Sequence, residues 1–248
     1  MTIVSTPPQP AGAASVLEVV ALGVRDVAGA EEGGADRLLL VVRGEQGGMS
    51  PPPDVVAAVC AETDLPVRVV LRLRDDLTTT GGELNRLIGL ATDYLARGAD
   101  GVVMGFLDHD LDVDVEITGA ILERVPGLRW TFSRAIDHSL DQRRAWRALL
   151  GQPGLDAVAT AGSTRGLEHG YEDLLGRVRS DPRIAALAMP SGGLTAEQVP
   201  WLVRAGVRQL HLGAQVRPTR SYDKANVDAA LVRSWRRLLD DEVAAARR

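Results

Sequence analysis

The stretch Gly98-Ala99-Asp100-Gly101-Val102-Val103-Met104 shows the pattern that decides the fold, a glycine followed by a short apolar run. Glycine commonly ends a helix in the left-handed conformation, and such a run is typical of a buried strand. The pattern occurs three more times, at Gly34-Ala35-Asp36-Arg37-Leu38-Leu39-Leu40, Gly154-Leu155-Asp156-Ala157-Val158-Ala159 and Gly206-Val207-Arg208-Gln209-Leu210-His211-Leu212. Its return after roughly fifty to sixty residues indicates consecutive strand–helix units in a parallel sheet.

The length of the chain and its series of strands predict a (β/α)8 TIM barrel, a closed parallel sheet of eight strands with outer helices. A chain of 248 residues has the usual size of one such barrel. We expect strands at 16–21, 37–42, 67–73, 101–105, 128–133, 157–160, 184–189 and 208–212, and a final charged helix at 224–248. Residues 1–14 contain three prolines and no charged side chain, which predicts a flexible tail. Residues 15–248 are then a single barrel domain.

The composition excludes several classes of function. Hydrophobic residues make up 45% of the chain and aromatic residues 4%, so the core must be aliphatic, as in strands buried on both faces. A net charge of −5 with interspersed signs lacks the basic footprint of a nucleic-acid-binding protein. The sequence contains neither an apolar run near the ~18 residues of a membrane span nor a secretory signal pattern. We therefore expect a cytoplasmic protein without nucleic-acid or membrane partners.

Polar residues occupy the carboxyl ends of the predicted strands, where barrels carry their functional groups. Glu18 lies between Leu17 and Val19, so we expect a buried carboxylate paired with Arg72 or Arg134. Such a pair could be structural and fill the barrel, or it could hold a ligand. The candidates at these ends are Glu18, Arg43, Glu45, Arg72, Arg74, Asp108, Arg134, Asp137, Thr160, Ser163, Ser191 and His211; of these, Glu18, Arg72, Arg134, Asp137 and His211 are the candidate catalytic residues.

Two glycine-rich loops predict an anion site. Ser191-Gly192-Gly193 follows the seventh strand and Gly213-Ala214 follows the eighth, so both are expected at the same barrel face. Main-chain N–H groups and helix N-termini in such loops bind phosphate in many barrel enzymes. We expect Arg74 to add positive charge to this site. The alternative is that Gly192-Gly193 makes a tight turn and binds nothing.

The residue types favour no metal site. The four histidines, His109, His138, His169 and His211, show no ligand spacing on a helix face. The acidic loop at 108–114 could hold a hard cation, but helix capping by Asp112 or Asp114 is the preferred explanation. Met104, Met189 and His211 form a sparse soft set, although methionine in a strand is usually core filler. Cys60, the only cysteine, is expected to pack on an outer helix, and the only lysine, Lys224, is not at a strand end, which argues against Schiff-base chemistry.

Several strings together resemble the CutC copper-homeostasis family, in register from about residue 16 to 215. The resemblance implies a (β/α)8 barrel, a cytoplasmic location, a homo-oligomer and a link to copper. The family's usual cysteines are absent, however, since Val20, Ala21 and Val41 stand at those positions. Leu39, Arg68 and Ser133 replace a glutamate and two histidines of the family, whereas Glu18, Arg72, Arg74, Asp108, Arg134, Asp137 and His211 match it. The strings that carry the resemblance are Leu17-Glu18-Val19-Val20, Gly33-Gly34-Ala35-Asp36-Arg37, Glu45-Gln46-Gly47-Gly48-Met49-Ser50-Pro51, Pro66-Val67-Arg68-Val69-Val70-Leu71-Arg72-Leu73-Arg74, Gly101-Val102-Val103-Met104-Gly105-Phe106-Leu107-Asp108 and Thr131-Phe132-Ser133-Arg134-Ala135-Ile136-Asp137.

Two functional hypotheses follow. In the first, the chain is a CutC-like barrel linked to copper homeostasis by resemblance, without Cu(I) binding by thiolates. In the second, it is an enzyme or binding protein for a small phosphorylated or carboxylated metabolite. There, Glu18 or Asp137 acts as general base, and Arg72 and Arg134 clamp the anion. Copper is a cofactor by resemblance only, the expected partner is a small anionic ligand, and a homodimer is the favoured oligomer.

Overall fold

The computed structural model describes residues 15–42 and 48–248. The predicted tail at 1–14 and the candidates Arg43 and Glu45 lie outside these residues. Eight parallel strands form one sheet with the order β7-β6-β5-β4-β3-β2-β1-β8, which confirms the predicted barrel. They are β1 (Val16–Ala21), β2 (Arg37–Leu40), β3 (Val67–Val70), β4 (Gly101–Met104), β5 (Trp130–Phe132), β6 (Leu155–Thr160), β7 (Ala188–Pro190) and β8 (Gln209–Leu212).

Side chains join the two ends of this sheet and bring it close to closure. The ladders run from β7 through β1 to β8, and β7 and β8 lie side by side at the seam. Across the seam, Gln209 Nε2 donates to the carbonyl oxygen of Ala186 at 3.2 Å, and Gln215 Nε2 donates to that of Leu194 at 3.2 Å. These amide side chains satisfy main-chain carbonyls that would otherwise lose a partner at the seam.

Helices surround the sheet and are separated by short loops. They are α1 (Val27–Gly33), α2 (Pro53–Ala61), α3 (Gly81–Ala96), α4 (Val115–Arg124), α5 (Gln142–Leu149), α6 (Leu167–Ser180), α7 (Pro182–Leu187), α8 (Val199–Arg204) and α9 (Ala229–Ala246). The final helix α9 packs against α1 and α8. No helix in the part of the chain that the structure describes is long and apolar enough to cross a membrane.

The four glycines of the repeated pattern have the predicted left-handed conformation. Their φ values are 87° at Gly34, 99° at Gly98, 71° at Gly154 and 103° at Gly206, and each precedes a strand by one to three residues. Aspartate side chains begin several of the helices. Asp114 accepts a hydrogen bond from the Ile117 N–H at the start of α4, as helix capping predicts.

The seventh strand is where the predicted boundaries were wrong. The apolar run at 184–189 predicts a strand, but α7 occupies Pro182–Leu187 and β7 covers only Ala188–Pro190. Asp181 caps this helix by accepting from the Arg183 N–H, and Pro182 stands at its first position. An aspartate cap followed by proline is a helix start signal that outweighs the apolar run behind it.

Candidate functional site

A cavity of about 820 Å³ opens at the carboxyl ends of the strands. Its floor is apolar, because Val20, Leu39, Val41, Val70 and Val103 form a buried cluster inside the barrel. Polar side chains stand above this floor and around its edge: Arg72, Asp75, Asp76, Ser133, Arg134, His138, Thr164, Ser191, His211 and Tyr222. A volume of this size suits a small organic molecule whose apolar part contacts the floor and whose polar groups face the edge.

Glu18 is fully buried, as predicted, but its partners are not the predicted ones. Its Oε2 accepts a hydrogen bond from Arg37 Nε at 2.6 Å, and its Oε1 lies 2.8 Å from His211 Nδ1. Neither Arg72 nor Arg134 pairs with it. The reason is the register, because Glu18 stands directly opposite Arg37 on β2 and opposite His211 on β8. Both partners are therefore its neighbours across adjacent strands.

The ionisation of Glu18 fixes the tautomer of His211. Burial alone would raise the pKa of Glu18, but Arg37 and His211 lower it to about 2. An ionised carboxylate has no proton to donate, so the hydrogen bond must come from His211 Nδ1–H. In the neutral ring this leaves the lone pair on Nε2, and His211 is a lining residue of the cavity.

An ionic cluster around the buried Arg37 and Arg68, which was not predicted from the sequence, lies on the side of the strand N-termini. Arg68 is fully buried, bonds Asp100 through Nε at 2.8 Å and contacts Asp156 through Nη2. Arg129 bonds Asp100 at 2.7 Å and lies 3.4 Å from Asp156, and Arg37 Nη1 lies 3.8 Å from Asp156. The signal was present in the sequence, since Arg37 and Arg68 lie in otherwise apolar strands and buried charges need partners.

Asp137, predicted as a candidate general base, lies outside the cavity lining and is held by neighbouring donors. Its buried carboxylate accepts from Thr160 Oγ1 at 2.7 Å, from the Ala161 N–H at 2.9 Å and from the Gly162 N–H at 3.1 Å. Arg134 Nε adds a fourth donor at 2.9 Å. These donors occupy both oxygens and hold the loop after β6, and the cavity lining does not include Asp137.

The same contact orients Arg134 toward the loop after β7. Nε of Arg134 bonds Asp137, and Nη2 donates to the carbonyl oxygen of Ser163 at 3.0 Å. Nη1 makes no hydrogen bond to a described residue, and a Cβ built on Gly192 would lie 2.7 Å from it. Glycine is therefore required at 192, both for this close approach and for its φ of 79°. One edge of the guanidinium group is thereby directed at the Gly192 main chain and the cavity.

The loop after β7 offers unsatisfied donors to this cavity. Ser191 is 2% exposed and lines the cavity, yet its Oγ has no hydrogen-bond partner among the described residues. Within the same described part of the chain, the N–H groups of Gly192 and Gly193 also lack an acceptor. An unpaired buried hydroxyl costs about 1–3 kcal/mol, which a ligand oxygen would recover.

Four other residues predicted for the anion site either lie outside the cavity lining or are already bonded to other protein groups. The Gly213 N–H is already bonded to Gln215 Oε1 at 3.0 Å, and neither Gly213 nor Ala214 belongs to the lining. Arg74 is half-exposed, pairs with Asp76 at 2.7 Å and is also outside the lining. Arg72 does line the cavity and donates to the carbonyl oxygens of Arg74 and Asp75.

The residues at this mouth do not fit Cu(I). The floor carries Val20 and Val41 where the family resemblance implies cysteines. The Met189 sulfur accepts a hydrogen bond from Arg37 Nη2 at 3.5 Å, so a permanent cation stands beside this sulfur. Within residues 15–42 and 48–248, no three His, Cys, Asp or Glu side chains come together as a metal site.

Cys60 is placed as the sequence predicted. It lies on the outer helix α2, and its Cβ would be 3.3 Å from a Cβ built on Gly98. Burial raises the pKa of its thiol, which disfavours the thiolate that binds Cu(I). The acidic loop likewise serves local structure, because Asp108 Oδ1 accepts from the N–H groups of Asp110 and Asp112.

The fold and the mouth define the protein as a (β/α)8 barrel with a small-molecule cavity at the carboxyl ends of its strands. More particularly, the chain belongs to the CutC family, whose sequence model matches residues 15–216.

Known proteins similar to this chain agree with that assignment. It is 30% identical over 201 residues to a protein of Klebsiella pneumoniae (strain 342) named family protein CutC, covering 81% of this chain and 80% of that protein. It is 31% identical over 212 residues to the Homo sapiens copper homeostasis protein cutC homolog, covering 83% and 76%. The crystal structure of CutC from Streptococcus agalactiae matches with a TM-score of 0.71 at 22% identity, covering 80% of this chain and 98% of that one.

Proposed function

We propose that this CutC-family barrel binds a small organic anion, a carboxylate or a phosphate ester, in the cavity at its mouth. The observation that carries the proposal is the buried Ser191 Oγ, which has no partner among the described residues and stands beside Arg134 and Gly192. A hydroxyl, a main-chain N–H group and a guanidinium edge are donors that proteins use for carboxylate and phosphate oxygens. The apolar floor then holds the carbon part of the ligand.

The anion-binding group differs from the one expected from the sequence. Ser191 and Gly192 on the loop after β7 are joined by Arg134, which follows β5, whereas neither Gly193 nor the loop at Gly213-Ala214 contributes a lining residue. Arg72 stands at the edge of the same cavity, where Asp75 and Asp76 offset part of its charge. Positive charge and oriented N–H groups in a partly enclosed cavity attract anions more strongly than the same groups in open water.

A role in copper homeostasis belongs by name to the human relative. We propose that any such role of this chain runs through its organic ligand rather than through a Cu(I) site of its own side chains. The guanidinium of Arg37 beside the Met189 sulfur supports this choice. A cytoplasmic location, a homodimer and the absence of nucleic-acid partners stay predictions.

Ser191→Ala tests the proposal because it removes one hydrogen-bond donor and leaves almost no empty space where the hydroxyl was. Phosphate and malonate are titrated by calorimetry at constant ionic strength. Loss of a hydrogen bond to a charged group costs about 1.5–3 kcal/mol, so affinity should fall at least tenfold. The free variant should melt no lower than wild type, since an unpaired buried hydroxyl has been removed.

Ser234→Ala is the matched control. Its Oγ bonds the carbonyl oxygen of Ala230 on the exposed face of α9, far along the chain from the mouth. Phosphate affinity should be unchanged in this variant. Equal affinity of wild type and Ser191→Ala for both anions, or no binding by wild type, would contradict the proposed site.

A further inference from the structure

A chain of fixed contacts orients His211 at the cavity. Arg37 is 6% exposed and is held by Glu18 at 2.6 Å, by Asp156 at 3.8 Å and by the Met189 sulfur. Glu18, fully buried, in turn holds His211 Nδ1 at 2.8 Å. The imidazole is therefore anchored through one nitrogen to a rigid carboxylate that cannot reach solvent. This is the arrangement by which a carboxylate sets the tautomer and direction of a proton-transferring histidine.

The other nitrogen of the ring is available to a ligand. His211 lines the cavity, its side chain is 16% exposed, and Nε2 has no hydrogen-bond partner among the described residues. Val20, two residues after Glu18 on β1, belongs to the apolar floor of the same cavity. The carbon part of a bound anion would thus lie next to a nitrogen that carries a lone pair.

We infer that His211 is a catalytic residue that moves a proton at a carbon atom of the bound anion, next to a carbonyl group. This inference rests on the proposed anion site and adds an activity to it, an isomerisation or epimerisation through an enolate. Glu18 is a positioning residue that acts through His211. Arg37 in turn positions Glu18.

The step balances without another reactant. Nε2 takes the proton from the C–H bond, and the electron pair of that bond moves to form an enolate on the neighbouring carbonyl oxygen. The imidazolium formed is stabilised by the ionised Glu18, and Arg134 Nη1 faces the cavity where the enolate charge develops. Nε2–H then returns the proton to the same carbon, or to the adjacent carbon while the hydroxyl proton on the first carbon passes to the enolate oxygen. Either return restores the neutral histidine.

Other ionisable groups at the mouth are less suited to this step. Burial lowers the pKa of His138, and Arg134 and Arg72 lower it further, so His138 is a weaker base than a free histidine. Asp137 is held by four donors, and Asp76 pairs with Arg74. Tyr222 packs over the guanidinium of Arg217 at 5.1 Å. Only His211 combines a cavity position with a buried carboxylate on its far nitrogen among these lining residues.

The first test reads the tautomer without requiring turnover. In ¹⁵N-labelled protein above pH 8, long-range ¹H–¹⁵N spectra should show the neutral His211 ring protonated at Nδ1 and bare at Nε2. Glu18→Gln should lose this fixed tautomer, because a neutral amide can donate or accept. A proton on Nε2 in the neutral wild-type ring would overturn the inference.

The second test measures the proton transfer itself. Wild-type protein in D₂O should speed the exchange of the C–H protons of 2-oxobutyrate or dihydroxyacetone phosphate above the buffer rate, followed by ¹H NMR. His211→Gln should reduce the protein-dependent rate about 10²-fold or more, as expected for loss of a general base. Glu18→Gln should reduce it less. No protein-dependent exchange of either compound, or full exchange by His211→Gln, would overturn the inference.

Phosphate affinity measured on the same samples separates this inference from the proposed function. His211→Gln keeps Ser191, Gly192 and Arg134, so phosphate binding that remains in this variant shows that its loss of exchange is not a loss of the fold. Wild-type protein that binds phosphate but exchanges neither compound rejects the proton transfer and leaves the anion site intact. Wild-type protein that does not bind phosphate rejects the anion site itself.

Discussion

The ionisation of Glu18 affects both the stability of the fold and the orientation of His211 at the mouth of the barrel. Its buried carboxylate would be costly alone, but Arg37 and His211 surround it, and together they hold its pKa at about 2. The usual pKa of this side chain is 4.5, so the folded state favours its ionised form more than the unfolded chain does. A group of this kind stabilises the fold above its unfolded pKa and ceases to do so as the pH falls through its folded pKa.

We therefore predict a specific acid dependence of stability. The contribution of ionised Glu18 should be fully present above pH 4.5 and should disappear as the pH falls toward 2, a change of about 3 kcal/mol. Glu18→Gln should be less stable than wild type at pH 7 by about 3 kcal/mol, the lower end for breaking a buried pair, because Arg37 keeps Asp156. The difference should shrink in acid, measured by urea unfolding from pH 2 to 7.

Glu32→Gln provides the control for this measurement, since Glu32 is exposed on α1. It should change the unfolding free energy by less than about 0.5 kcal/mol at any of these pH values. If the free energies of unfolding of wild type and Glu18→Gln change with pH in the same way, the pKa of Glu18 is not lowered by its partners in the folded state.

The burial of Glu18 could be predicted from its apolar neighbours in sequence, but its partners could not. Which residue faces Glu18 depends on the stagger between strands, and that stagger comes from how the whole barrel closes. Arg72 and Arg134 were expected because they end strands. The strand neighbours Arg37 and His211 are the partners of Glu18 instead.

At the scale of elements, α6 illustrates how closely helices approach the loops that shape the mouth. Gly170 lies where a Cβ would be 2.2 Å from the carbonyl oxygen of Ala161, in the loop that Asp137 holds. Gly176, six residues further along the same helix, has open space around it and is exposed. Close packing therefore requires glycine at position 170, whereas it does not require glycine at position 176.

This contrast predicts opposite effects of one substitution. Gly176→Ala should stabilise the protein by about 0.5–1 kcal/mol, because glycine in an exposed helix interior costs conformational entropy. Gly170→Ala should destabilise it by about 1–3 kcal/mol, because α6 must move away from the loop after β6. Thermal and urea unfolding measure both. Equal shifts of the two variants in the same direction would contradict the close packing of Gly170.

Most elements could be predicted from apolar runs and glycines, whereas the β7 region could not be predicted correctly from periodicity alone. The segment at 184–189 is apolar enough for a strand, but residues 184–187 belong to α7 because Asp181 and Pro182 start a helix there. Short apolar runs fit either state until local capping is considered. This difference has little effect on the site, because β7 ends at Pro190 and the next residue, Ser191, lines the cavity.

At the scale of the whole molecule, the eightfold architecture could be predicted because strand–helix units repeat along the chain and only a barrel of this size buries them all. The chemistry of the mouth was predictable only in part. Ser191, Gly192 and Arg134 were expected near one another, but the exclusion of Gly213, Ala214 and Asp137 from the lining depends on side-chain contacts between distant segments.

The placement of the sulfur atoms leads to a prediction for copper. Cys60 is on an outer helix and Met189 faces Arg37, so purified protein should retain no stoichiometric Cu(I) against a competing chelator such as bathocuproine disulfonate. Metal analysis after gel filtration measures the retained copper. Retention of one copper per chain by wild type, lost in Cys60→Ala, would show that the outer cysteine is a genuine ligand.

The position of a bound anion tests the central claim most directly. Crystals grown with selenate, which mimics phosphate and scatters anomalously, should show a peak in the mouth within hydrogen-bond distance of Ser191 Oγ and the Gly192 N–H, with Arg134 Nη1 alongside. A mouth without a peak in crystals that bind selenate elsewhere on the surface would contradict the account. A peak held instead at Gly213 and Ala214 would contradict it as well.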